Sequence, residues 1–82
     1  MMNPDFVPAL IDMGGLVAER GDHAKALVHL VKAESLEPSN PSIHYNLSQV
    51  YEMMGKAVEA QGEMKRFNEL DAQARQKAGA GK

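Results

Sequence analysis

The sequence predicts an all-α fold made of two stacked helix–turn–helix units. Three observations carry this. Apolar residues recur at helical spacing in four segments, and no segment sustains the period-two alternation of a strand. Two glycines at chain breaks, Gly21 and Gly55, stand 34 residues apart. The 82 residues then divide into a lead-in (1–6), two equal units (7–40 and 41–74) and a short basic tail (75–82).

The four segments follow in order. The first carries Val7, Leu10, Ile11, Met13, Leu16 and Val17, and ends at Gly21-Asp22. The second carries Ala24, Ala26, Leu27, Leu30, Val31, Ala33 and Leu36, and ends at Glu37-Pro38-Ser39-Asn40-Pro41. The third carries Ile43, Leu47, Val50, Tyr51 and Met54, and ends at Gly55-Lys56. The fourth carries Ala57, Val58, Ala60, Met64, Phe67 and Leu70. Asn40 before Pro41 is a capping side chain followed by a proline suited to the first helical turn, and Asn3-Pro4 has the same form. Asp5 and Asp22 are further cap candidates. Gly21 and Gly55 suit the left-handed backbone on which helices commonly end.

Composition narrows the class. With 44% hydrophobic and 24% charged residues the chain is expected to fold rather than remain disordered. The absence of cysteine excludes disulfides and thiolate zinc sites. Only Phe6, Tyr45, Tyr51 and Phe67 are aromatic, so the core draws on Leu, Val, Ala and Met. A net charge of −2 and a pI near 5.8 give no nucleic-acid footprint. The bases that gather after residue 64 suit the C-terminal end of a helix. No apolar run approaches the roughly 20 residues of a membrane span, and MMNPDFVPAL lacks the basic and apolar regions of a signal peptide. The default compartment is the cytoplasm, with the periplasm open if an upstream signal has been removed.

Placing 7–40 on 41–74 aligns Gly21 with Gly55, Ala26 with Ala60 and Leu36 with Leu70. Residues of like class also align: Met13 with Leu47, Gly14 with Ser48, Leu16 with Val50, Val17 with Tyr51 and Leu30 with Met64. The first copy reads Leu10-x2-Met13-Gly14-x2-Val17, then Gly21, Ala26, Leu30, Ala33 and Pro38. The second reads His44-Tyr45-Asn46-Leu47-Ser48-Gln49-Val50-Tyr51, then Gly55, Ala60 and Met64. This register resembles the tetratricopeptide repeat, a 34-residue helix–turn–helix with the pattern W-x2-L-G-x2-Y, A-x3-F, P. The resemblance covers residues 4 to about 74 and implies a right-handed α-solenoid fragment. Small residues at 14, 48, 26 and 60 would let neighbouring backbones approach.

Two departures mark the second copy as terminal. Phe67 stands where the first copy has Ala33, and Ala72 where it has Pro38. The last helix should therefore run on through Gln73, Ala74, Arg75 and Gln76 as an extended cap. Met2-Asn3-Pro4 looks like the end of a preceding repeat, so the chain is expected to be the C-terminal part of a longer array or a piece cut at a repeat boundary.

Catalytic and metal chemistry find no constellation. His23 and His29 are six residues apart, no HExxH occurs, and the three histidines, His44 included, read as surface or turn residues. Glu59 and Glu63 read as a solvated face, Gly14-Gly15 is not a phosphate loop, and Asn46-Leu47-Ser48 is a mid-helix sequon formed by chance. No enzyme activity, cofactor or metal is expected.

The resemblance implies a concave groove lined by the first helix of each unit, with Ile11, Gly15 and Ala18 from one and Tyr45, Asn46, Gln49, Glu52 and Met53 from the other. Some relatives clamp acidic chaperone tails with groove lysines, arginines and asparagines. Here only Asn46 is of that type, and Ile11, Gly15 and Ser42 stand where such groups would be needed. A carboxylate tail beside Glu52 is disfavoured, and a peptide or helix with apolar anchors and basic flanks fits better. The expected role is a non-enzymatic protein-interaction scaffold. The alternative is self-association. Two repeats fall short of the three such arrays usually need, so Val7, Leu10 and Val17 at one end and Phe67 at the other are expected to bury against a second copy as a homodimer.

Overall fold

The computed structural model describes residues 6–80, with side chains through Lys77. Four helices follow one another: α1 (Val7–Glu19), α2 (His23–Leu36), α3 (Pro41–Met53) and α4 (Ala57–Ala80). Among the described residues there is no strand, and no helix is long and apolar enough to cross a membrane. The fold is the expected all-α repeat fragment. The cap candidates Asn3 and Asp5 lie outside the described residues. Phe6 occupies the N-cap position of α1 and makes no side-chain capping bond.

Local chemistry sets the other boundaries. The Asp22 carboxylate accepts from the Lys25 amide at 3.1 Å and starts α2. The Asn40 side chain accepts from the Ser42 amide at 3.0 Å and starts α3, with Pro41 at the first helical turn. Gly21 (φ 89°) and Gly55 (φ 76°) end α1 and α3 in the left-handed region.

The two halves repeat each other bond for bond around these turns. The Gly21 amide donates to Ala18 O at 2.9 Å, and the Gly55 amide to Glu52 O at 3.0 Å. The Asp22 amide donates to Val17 O at 2.9 Å, and the Lys56 amide to Tyr51 O at 2.8 Å. The Ala26 amide donates to Asp22 O, and the Ala60 amide to Lys56 O. Every member of the second set lies 34 residues after its counterpart, so the sequence period is a period of backbone geometry.

The helices pack α1 on α2 and α3 on α4, with α2 and α1 both against α3. The central core is Val7, Leu10 and Ala18 of α1, Ala26, Leu30 and Ala33 of α2, and Ile43, Leu47 and Val50 of α3. Gly14 is buried in the α1–α2 contact because a Cβ there would lie 2.8 Å from Leu30 Cγ. Small size at residue 14 is thus what lets Leu30 fill the core. Among the described side chains of α4, only Ala60 and Leu70 are buried. This helix runs to Ala80, beyond the expected extension, since no proline follows Leu70 to stop it.

The expected exposed face of α1 needs correction. Val7 and Leu10 are each only 5% exposed and belong to the chain's own core, and Val17 is half-buried against it. The exposed apolar side chains of α1 and α2 are instead Met13, Leu16, Val28, Val31 and Leu36. Helical spacing identifies an apolar face but not which part of a wide face the neighbouring helix covers.

Candidate functional site

Helices α1 and α3, the first of each pair, lie in contact. The nearest atom to a Cβ built on Gly15 is Asn46 Oδ1, at 4.0 Å, so these two residues face each other across the α1–α3 contact. Asn46 is oriented by its own helix, its Nδ2 donating to the Ser42 carbonyl at 2.8 Å. Ile11 and Gln49 are half-buried, while Glu52 and Met53 are exposed. Ile11, Gly15, Asn46, Gln49, Glu52 and Met53 are thus at least partly open to solvent. Ala18 is not: at 5% exposure its methyl group is spent in the core.

Tyr45 stands differently from its expected neighbours. Its ring centroid is 5.5 Å from that of Phe67 on α4, the planes tilted at 52°. The side chain remains 45% exposed. Tyr45 and Phe67, expected on separate surfaces, make one aromatic patch where α3 meets α4. Beside it, Ser48, Glu52, Ala57, Ala60, Gln61 and Met64 line a shallow cleft along the same helix pair.

The chief departure from expectation is His44. It is buried, not a surface or turn residue. Nε2 lies 2.7 Å from the Pro38 carbonyl and Nδ1 lies 2.8 Å from Glu63 Oε1, with Glu34 Oε2 at 3.6 Å. Both ring nitrogens face acceptors. A neutral imidazole has one N–H, whereas an imidazolium donates from both. Burial is the largest single influence on the ring and opposes its charge. The Pro38 carbonyl, the hydrogen bond to Glu63 and the charges of Glu63 and Glu34 outweigh it, and the pKa is raised above 6.5. Burial, with the charges of Glu63, Glu34 and Glu59, also raises the pKa of the nearby Tyr51 phenol above 10.0.

Glu63 is accordingly not part of a solvated face. Its side chain is 21% exposed and bonded across the α3–α4 contact. The helical spacing of Glu59 and Glu63 gives no hint of this. A signal for His44 does exist: it lies 34 residues after Leu10, a core position, so the register itself turns it inward. Its partners come from α2, the turn after it and α4, and share no sequence pattern with it.

Among the described residues, His44, Glu34 and Glu63 are a group of metal-binding type, their ligand atoms within 4.8 Å of one another. No nucleophile is paired with a base there.

The family model for the TPR repeat matches residues 14–55, just over half of the chain, from the middle of α1 to the glycine that ends α3. No solved structure matches the chain.

Proposed function

The chain belongs to the tetratricopeptide repeat family, whose repeats generally mediate protein–protein interaction, and on that premise we propose that it is a non-enzymatic scaffold capturing a partner peptide or helix along α1 and α3. The observation that supports this reading is the approach of Gly15 to Asn46, where the two first helices lie side by side with no side chain from residue 15 between them. Ile11 and Met53 offer apolar anchor points, and Asn46 and Gln49 offer amides to a partner backbone. Glu19 and Glu52 favour basic flanks and disfavour an acidic tail. The units 7–40 and 41–74 are the repeat boundaries that this reading uses.

Panning a random peptide library on the purified chain tests the groove. The expected peptides carry apolar residues flanked by Lys or Arg, and lose binding to an Ile11→Asp, Met53→Asp variant that melts like the parent. Binding that survives this variant overturns the groove reading. Tyr45 is a poor probe, because truncating it also strips the aromatic partner of Phe67.

A second reading rests on the two exposed apolar ends. Leu27, Val28 and Val31 of α2 line one, and the Tyr45–Phe67 patch marks the other. Stacking between copies would bury both and form a homodimer. Light scattering during size exclusion decides it, a stable monomer at micromolar concentration being the contrary result.

A further inference from the structure

We propose that Glu34, His44 and Glu63 form a binding site for a divalent transition-metal ion of the zinc type. Each of three successive helices supplies one ligand: Glu34 from α2, His44 from α3 and Glu63 from α4. The ligand atoms already converge. His44 Nδ1 is 2.8 Å from Glu63 Oε1 and 3.6 Å from Glu34 Oε2, and all three atoms fall within 4.8 Å of one another. Around a zinc ion with bonds of about 2.0–2.2 Å, tetrahedral ligands sit roughly 3.3–3.6 Å apart. Only small side-chain adjustments separate the two arrangements, and the Glu34 side chain, 34% exposed, has room to make them.

The second shell is in place independently of the carboxylates. His44 Nε2 lies 2.7 Å from the Pro38 carbonyl oxygen, to which its N–H donates. Metal-ligating histidines almost always hold their other ring N–H in this way, which fixes the ring and the coordinating nitrogen. Here the coordinating nitrogen is Nδ1, the one that faces both carboxylates. The pocket calls for a cation, since a buried imidazole nitrogen and two carboxylates meet in it. An ion at Nδ1 would displace the proton that Nδ1 shares with Glu63, and the neutral imidazole with two carboxylates then carries −2, which one divalent ion balances. The mixed nitrogen and oxygen donors suit zinc and its neighbours, while calcium and magnesium prefer oxygen alone.

Access exists as well. Glu34, Pro38, His44, Gly62, Glu63 and Arg66 line an open cleft, so water can take a fourth position. Arg66 is the opposing charge. Its guanidinium lies 3.6 Å from Glu69, and its positive charge on the wall of the same cleft opposes a cation there. A bound ion would tie α2, α3 and α4 together and fix the angle between the two helix pairs. The site thus has a structural role, separate from the groove.

The test uses the whole chain, freed of metal with a chelator and titrated with zinc chloride by calorimetry and with cobalt chloride by visible absorption. One ion per chain is expected, with a raised melting temperature and a nitrogen-15 shift at His44 Nδ1 rather than Nε2. Glu34→Gln leaves the His44–Glu63 bond intact and should weaken the ion by roughly tenfold or more. Arg66→Gln should tighten it. The proposal is overturned by no saturable binding below about 1 mM. It is equally overturned if binding is unaffected by Glu34→Gln but lost in His23→Gln, His29→Gln, which would put the ion on the other two histidines.

Discussion

Leu30 occupies the space that a side chain at residue 14 would need. A Cβ on Gly14 would lie 2.8 Å from Leu30 Cγ and 3.0 Å from Cδ2, while one on the adjacent Gly15 would meet nothing nearer than Asn46 Oδ1 at 4.0 Å. Two neighbouring glycines in one helix thus have opposite roles.

Gly14→Ala is therefore expected to destabilise the chain by about 1–2 kcal/mol, overpacking outweighing the gain in helix propensity. Gly15→Ala should stabilise it by up to about 1 kcal/mol. Urea denaturation measures both. Adding Leu30→Ala should recover part of the Gly14→Ala loss in a double-mutant cycle, because the two side chains compete for one volume. Additive losses would mean that they do not.

With chelator present, the His44 bonds make stability depend on pH. The folded-state pKa is raised above the usual 6.5. The folded state therefore holds the proton more tightly than the unfolded chain. The stabilisation is fully present below pH 6.5 and is lost as pH rises through the folded value. Stability measured from about pH 5.5 to about pH 8.5 should fall across this interval. His44→Gln should remove most of that slope at some cost in stability at the acid end. A slope unchanged in His44→Gln would assign the proton elsewhere.

Gly55 adopts φ 76° with nothing within 4 Å of a built Cβ, so its requirement is conformational and not steric. Gly55→Ala should cost about 1–2 kcal/mol, and Gly55→Asn distinctly less, since asparagine tolerates the left-handed region. The same order should hold at Gly21 (φ 89°). Equal losses for Ala and Asn in thermal melts would contradict the backbone explanation.

The caps of α2 and α3 are single side-chain bonds, from Asp22 to the Lys25 amide and from Asn40 to the Ser42 amide. Asn40→Ala and Asp22→Ala should each cost about 1 kcal/mol, and Ser at either position should restore most of it. Asn40 also donates to Glu37 Oε1 at 3.0 Å, which ties the turn to the end of α2. Hydrogen exchange at the Ser42 amide gives the local readout, and protection undiminished in Asn40→Ala would dismiss the cap.

Much of this protein was decided locally and is legible along the chain. The four helices follow from apolar spacing, their starts from Asp22 and Asn40, their turns from Gly21 and Gly55, and the long last helix from the missing proline. These are interactions within a few residues, so one sequence suffices to read them. The 34-residue period also reads through, because each unit repeats the same turn bonds. What the tertiary structure alone decided is which faces meet. It buried Val7, Leu10 and Ala18, paired Tyr45 with Phe67, and gathered Glu34, His44 and Glu63 from three helices. Contacts between helices depend on rotation and crossing, and helical periodicity carries no record of either for a polar side chain. Only the packed chain shows that a histidine at a core position has found a carbonyl on one side and carboxylates on the other.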